Sequence, residues 1–315
     1  MQQLSIGVIG AGRVGSILAA KFRSVGHTIT SVSGRSEATR MRVETLLPGI
    51  DILEPAVVAA RSDVLILSVP DDSLIRVAEE LAASGTIRPG QFVLHTSGRH
   101  GLEALASMTR RGARPIAFHP AMTFTGTDVD LDRRCVFGLT AADTERALAE
   151  ELVTDLGGTA TWVDEANRAL YHVALAHGAN HLVTLVSQSM DLLRAALAEG
   201  QGAVDPAAVL RPLLAAALDN SLSYGDAALT GPVVRGDVTT IRAHVDALSQ
   251  AHVNPSTVDA YLEMAKATAD RAEASGRLSA ADAGQVRQVL VEVTVLDSEE
   301  DPLAELMVDS GQAGS

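Results

Sequence analysis

The stretch Leu4-Ser5-Ile6-Gly7-Val8-Ile9-Gly10-Ala11-Gly12-Arg13-Val14-Gly15 decides the fold. Ile6, Val8 and Ile9 read as a buried parallel strand, and Val14 to Val25 as the apolar helix that follows it. Between the two, Gly10, Gly12 and Gly15 have the G-x-G-x-x-G spacing of a dinucleotide-binding turn. In that turn Gly10 reverses the chain, Gly12 lets backbone N–H groups approach a pyrophosphate, and Gly15 lets the helix lie close on the strand. The helix N-terminus, opened by Arg13 and Val14, would hold the phosphates through its free N–H groups and its dipole. A strand before and a helix after distinguish the motif from a glycine-rich turn of purely structural use.

The next strand, Thr28 to Val32, runs into Ser33-Gly34-Arg35-Ser36. An acidic side chain at this place binds the ribose 2′-hydroxyl of NAD, and none is present. A guanidinium and two hydroxyls stand there instead, and paired Arg donors match a 2′-phosphate, so the cofactor expected is NADP(H). After a short helix closing near Ala59 to Asp63, Val64 to Val69 is a continuous apolar run and so a fully buried strand. Its end places Ser68, Val69 and Pro70 at the crevice outside the carboxyl ends of the sheet. The strands Gln91 to Leu94 and Pro115 to Phe118 end in His95-Thr96-Ser97-Gly98 and His119-Pro120, which bring Ser97 and His119 to the same crevice. Arg134 to Leu139 and Thr159 to Val163 read as added strands around a helix from Ala142 to Leu156.

After Asp164 the apolar period becomes helical and stays so. One long helix is predicted over Glu165 to Leu197, with others over Asp205 to Tyr224, Thr239 to Ser249, Ser256 to Ala274 and Ala280 to Leu296. The expected organisation is a doubly wound α/β Rossmann domain with a mostly parallel sheet over 1–163. An all-α domain for substrate and dimerisation follows over 164–296, then a disordered acidic tail over 297–315.

Composition narrows the partners. A formal net charge of −14 argues against general affinity for nucleic acid. No apolar run reaches membrane length without a polar interruption, and strand residues begin at Leu4 with no leader pattern. A single cysteine, Cys135, excludes an internal disulfide and suits a reducing cytoplasm. The aliphatic helix faces around Leu182 to Leu193 suit a homodimer interface.

A carbonyl reductase also needs a proton donor. In many two-domain enzymes of this layout the donor is a lysine on the first helix after the Rossmann domain. Only two lysines exist here, Lys21 and Lys266, and neither is on that helix. Histidine is the natural substitute. His172 and Asn180 share one face of the long helix, with Ala176 between them, whereas His177 and His181 form an i, i+4 pair on a roughly opposite face. That spacing would suit a metal, but no acidic neighbour or third ligand completes a set, so no metal is expected. His119 competes with His172 for the donor role. In the loop Leu229 to Asp237, Arg235 sits between two glycine breaks, a rigid mount for aiming a guanidinium at a carboxylate, and Gly236-Asp237 caps the next helix.

Taken together, GAGRVG (Gly10 to Gly15), SGRS (Ser33 to Ser36), LSVPDD (Leu67 to Asp72), HTSG (His95 to Gly98), FHP (Phe118 to Pro120), the YH pair Tyr171-His172 with Asn180, and LTGPVVRGD (Leu229 to Asp237) resemble a known family. It joins a Rossmann-like domain to a helical domain of unknown function, and it includes a non-standard type of ketopantoate reductase. The resemblance covers roughly residues 4 to 275. It implies NADPH-dependent reduction of a small 2-oxo acid, 2-dehydropantoate to pantoate in pantothenate biosynthesis. His172, Asn180 and His119 would then be catalytic, with Arg235, Asp237 and Ser97 facing the substrate. The family's lysine before the YH pair is replaced by Arg168, which cannot give up its proton. Other oxidoreductases on a similar frame, of deazaflavin–NADP or imine reductase type, and a non-catalytic NADP-binding scaffold are the competing readings.

Overall fold

Strands and helices alternate along the first part of this chain, and the second part is helical throughout. In the computed structural model, residues 3–197, 204–251 and 253–299 are described. Two compact units meet in sequence between His181 and Leu182.

The first unit is a seven-stranded sheet. Its strands are β1 (Ser5–Ile9), β2 (Thr28–Ser33), β3 (Val64–Leu67), β4 (Phe92–His95), β5 (Arg114–Pro120), β6 (Val136–Ala141) and β7 (Thr159–Trp162). The spatial order is β2-β1-β3-β4-β5-β6-β7. All neighbours are parallel except β5 and β6, so the sheet is the mostly parallel, doubly wound one that the sequence predicts. Alternation along the strands sorts side chains to two faces. Ile6, Val8, Val64, Ile66, Leu94, Ile116 and Phe118 pack beneath α1 (Arg13–Ser24) and, further along the chain, α6 (Arg146–Asp155). Leu65, Leu67 and Val93 face the opposite layer, made by α3 (Pro55–Ala60), α4 (Asp71–Ala83) and α5 (Ala106–Thr109). Burying both faces explains why β3 reads as an unbroken apolar run.

Helix α2 (Glu37–Leu46) was not among the predicted elements. Its apolar content is low, so periodicity gives no signal; the signal present is the cap, Ser36 accepting from Thr39 N–H at 3.1 Å. The single helix expected over Glu165 to Leu197 is also subdivided. A 3₁₀ turn at Glu165–Asn167 leads into α7 (Arg168–Leu175), a π turn spans Ala176–Asn180, and α8 (His181–Ala196) follows.

In the second unit α8 is followed by α9 (Pro206–Tyr224), α10 (Val238–Gln250), α11 (Pro255–Ala274) and α12 (Ala280–Glu299). Its core is made of Ile241 and Val245 of α10, Leu262 and Ala269 of α11, and Val286 and Leu290 of α12, with Val233 and Val234 of the preceding loop. Because α12 runs to Glu299, the acidic tail expected from Asp297 begins as helix, and its remainder lies outside the described residues. Among the described residues no helix is long and apolar enough to cross a membrane.

Candidate active site

The glycine turn has the geometry its spacing predicts. Gly10 adopts φ +91°, and a Cβ there would strike the carbonyl of Ser68. A Cβ on Gly15 would strike the carbonyl of Gly10, so only glycine lets α1 sit this close to the turn. At Gly12 the nearest atom to such a Cβ would be 4.0 Å away, which leaves that side of the turn open to a ligand. The turn is tied to β2 by Gly10 N–H and Ala11 N–H, both donating to Ser33 O at 3.0 and 2.9 Å. Arg13, Val14 and Gly15 form the first turn of α1, where N–H groups have no acceptor within the helix.

Beside this turn runs a groove of about 680 Å³, within the range of small-molecule and cofactor sites. Gly10, Gly12, Ser33, Arg35, Ser36, Ser68, Val69 and Pro70 line it, eight of the eleven residues expected to hold a cofactor. The other three, Arg13, Val14 and Gly15, lie in α1 behind the turn. Thr39 and Arg76 also line the groove and were missed. Thr39 belongs to the undetected helix α2, and its hydroxyl meets that of Ser36 at 2.9 Å. The N-terminus of α2 therefore opens beside Arg35, adding helical N–H groups to the guanidinium. Open room at Gly12, two helix N-termini and the Arg35 guanidinium just past the end of β2, exposed and without a hydrogen-bond partner among the described residues, fit a dinucleotide carrying a further phosphate.

A second hollow in the same unit, about 360 Å³, lies at the carboxyl end of β5. His119, His172 and Asn180, the three candidate catalytic residues, line it together with Met122, Leu175 and Ala176. The π turn contributes to this placement. At 3.6 residues per turn, eight residues of α-helix leave two side chains about 80° apart. The wider i→i+5 turn at Ala176–Asn180 absorbs that excess and brings Asn180 round over His172. His177 and His181 are exposed and do not line the hollow; their Nδ1 atoms are 3.0 Å apart. Among the described residues no group of three or more His, Cys, Asp or Glu is arranged to hold a metal ion.

Several polar side chains are buried or half-buried close to these histidines. His95 is fully buried, with Nε2 donating to Gly101 O at 3.0 Å, and burial lowers its pKa to about 3, so the ring is neutral. It pins the HTSG loop. Ser97 is buried too; its hydroxyl accepts from His100 N–H at 3.2 Å and its carbonyl accepts from Arg168 Nη2 at 2.7 Å. Ser97 is thus a loop-holding residue whose backbone reaches the site. Arg168 is only 1% exposed, and its Nη1 donates to Gly138 O at 3.1 Å and Thr140 Oγ1 at 3.2 Å. Burial pushes its pKa below the ordinary guanidinium value. Tyr171 stands beside it, with the guanidinium carbon 5.7 Å from the ring centre, and its hydroxyl meets His119 Nδ1 at 2.9 Å. Burial, then Arg168 and His172, depress the His119 pKa to about 4.

In the second unit, Arg235 lines a hollow with Arg277, Ser279 and Asp282. Asp237 is the N-cap of α10: its carboxylate accepts from Thr240 N–H at 3.0 Å and Thr240 Oγ1 at 2.7 Å, which holds its pKa down. Both oxygens of Asp237 are therefore engaged in capping, as the Gly-Asp pattern predicts.

Comparison with known proteins divides the chain earlier than its compact units do. Residues 1–120 match the model of a Rossmann-like domain, and residues 135–268 match that of a domain of unknown function, DUF2520. No curated protein sequence matches the chain. Among solved structures, a candidate NADP oxidoreductase from Bacteroides fragilis is 19% identical with a TM-score of 0.69, covering 84% of this chain and 98% of its own. An imine reductase from Myxococcus stipitatus in complex with NADP+ is 16% identical with a TM-score of 0.63, covering 84% and 94%. An imine reductase from Pseudomonas sp. is 18% identical with a TM-score of 0.62, covering 93% and 100%. At these identities the likeness is one of fold. The protein carries a Rossmann-like domain followed by a DUF2520 domain, the pairing that its motifs resemble.

Proposed function

We propose that the protein is an NADPH-dependent reductase of a small 2-oxo acid, with 2-dehydropantoate the first candidate substrate and pantoate its product. The observation that carries this reading is the groove with an Arg35 end and the histidine-lined hollow, both at the carboxyl ends of one sheet in one unit. That is where ligands bind in open α/β sheets. Bound NADPH supplies hydride to the carbonyl carbon. The chain supplies the remainder. Gly12 and the first turn of α1 hold the pyrophosphate, and Arg35 with the α2 N-terminus holds the 2′-phosphate. An imidazole of the His119–His172 pair gives a proton to the carbonyl oxygen, and Asn180 hydrogen-bonds that oxygen.

NADPH oxidation against a panel of 2-oxo acids tests the reading. Turnover with at least one acid is expected, and none above background overturns it. The likeness in fold to imine reductases favours a second reading, reduction of a cyclic imine, and such imines belong in the same panel.

The unit that follows is proposed to pair with a second copy. Helix α8 buries no residue and α9 buries only Leu210, while Leu213 and Leu222 of α9 are 63% and 81% exposed. Apolar faces of this extent on a helix call for a cover.

A further inference from the structure

Resting on the reductase reading, we propose that His119 is the catalytic acid and that Tyr171 is the positioning residue that aims it, donating its hydroxyl proton to Nδ1 so that Nε2–H faces the hollow. Three observations carry this. The first is the short Tyr171–His119 contact of 2.9 Å, made with the two rings nearly perpendicular at 89°. A neutral imidazole bears one proton, and whichever nitrogen accepts from the phenol leaves the other as donor.

The second is the room provided for both groups by glycines. A Cβ on Gly138 of β6 would collide with the Tyr171 hydroxyl, and a Cβ on Gly98 would come within 3.0 Å of His119 Nε2 and 2.6 Å of His172 Cδ2. The absent side chain of Gly98 leaves Nε2 uncovered, and among the described residues that nitrogen has no hydrogen-bond partner.

The third is the buried cation. Arg168 is held by three neutral oxygens, and among the described residues it has no carboxylate within ion-pair distance; its Nε is buried without a partner. Leaving a guanidinium buried and unpaired is costly unless it has an anion to stabilise. Tyr171 lies next to it; burial raises the phenol pKa, the Arg168 charge opposes that rise, and the phenolate forms only transiently beside it. Bound NADPH would supply hydride to the carbonyl carbon, and the C=O π pair would move onto oxygen. The new O–H bond forms as Nε2–H breaks, Nδ1 takes the phenolic proton, and phenolate is left beside Arg168. Water returns the proton to Tyr171 after product leaves.

The test uses the full chain in two ways. Nitrogen-15 NMR of histidine-labelled protein at neutral pH is expected to show His119 as the Nε2–H tautomer; an Nδ1–H tautomer overturns the proposal whether or not any acid is reduced. Kinetics supply the second arm. Tyr171→Phe is expected to lower kcat about 100-fold, with KM and NADPH affinity within threefold. Its proton inventory in H2O/D2O mixtures should be linear where that of the unaltered chain is bowed by two moving protons. Should Tyr171→Phe fail to fold, Gly138→Ala displaces the same hydroxyl and is expected to lower kcat in the same direction. An unchanged kcat in either folded variant overturns the relay. If the unaltered chain reduces nothing in the panel, the reductase reading fails, and the tautomer alone decides how the histidine is aimed.

Discussion

Gly98 shows how much a missing side chain can accomplish. It stands where two imidazoles converge, His119 from the sheet and His172 from α7, with ring centres 6.1 Å apart. Any Cβ there must push one ring aside, because interiors are packed to the density of organic crystals. Gly98→Ala is therefore expected to reduce kcat by at least tenfold while NADPH affinity stays within threefold, since the dinucleotide groove is lined by other residues. Steady-state kinetics with fluorescence titration of NADPH reads both, and equal loss of binding and turnover would remove the argument. The HTSG motif was legible as polar and close to the crevice. That its glycine matters for what approaches it, and that its histidine is buried and neutral, could not be read from a lone sequence, because burial depends on chain segments far apart.

Helices α2 and α7 make a complementary pair of lessons. The loop before α2 predicted a phosphate-binding Arg35, but the helix itself was not visible, because it buries only Thr39 and Val43 and so has almost no apolar stripe. Its N-terminus strengthens the case for NADP over NAD. Arg35→Ser is expected to weaken NADPH binding about tenfold or more, roughly 1.4 kcal/mol or above, and to change NADH binding far less. Calorimetry with both nucleotides decides it, and parallel losses would assign Arg35 to something other than the 2′-phosphate. Helical periodicity predicted a shared face for His172 of α7 and Asn180 of the π turn after it, and both line one hollow. The π turn that brings them into closer register has no marker among its residues, Ala176 to Asn180, beyond a glycine.

The whole chain should lose stability in mild acid, and the sign follows from two rings, His95 buried and His119 half-buried. His95 and His119 have folded pKa values lowered to about 3 and about 4, below the ordinary 6.5. The unfolded chain therefore binds protons that the folded chain refuses, and stability present above pH 6.5 falls as pH drops toward 4. Between pH 6.5 and 5 each ring accounts for about 2 kcal/mol. Urea unfolding at pH 7 and pH 5 measures the sum, and His95→Asn should flatten the slope by about half. No change in midpoint between these pH values would mean that both rings stay solvated. Assembly can be tested separately. Leu222→Asp, on an exposed apolar face of α9, is expected to yield monomer by light scattering where the unaltered chain yields dimer. A monomeric unaltered chain overturns the pairing.

The order of strand, glycine turn and helix, the switch from alternating to helical period and the sheet's carboxyl-end residues were all written in local pattern, because strands, turns and helices are dictated by residues a few places apart. Which histidine meets which tyrosine, and that Arg168 is sealed beside them with only neutral acceptors among the described residues, belonged to the tertiary structure. Those contacts join residues separated by 28 to 71 positions along the chain. Burial, which sets both protonation and the cost of a lone charge, exists only once such distant segments have packed together.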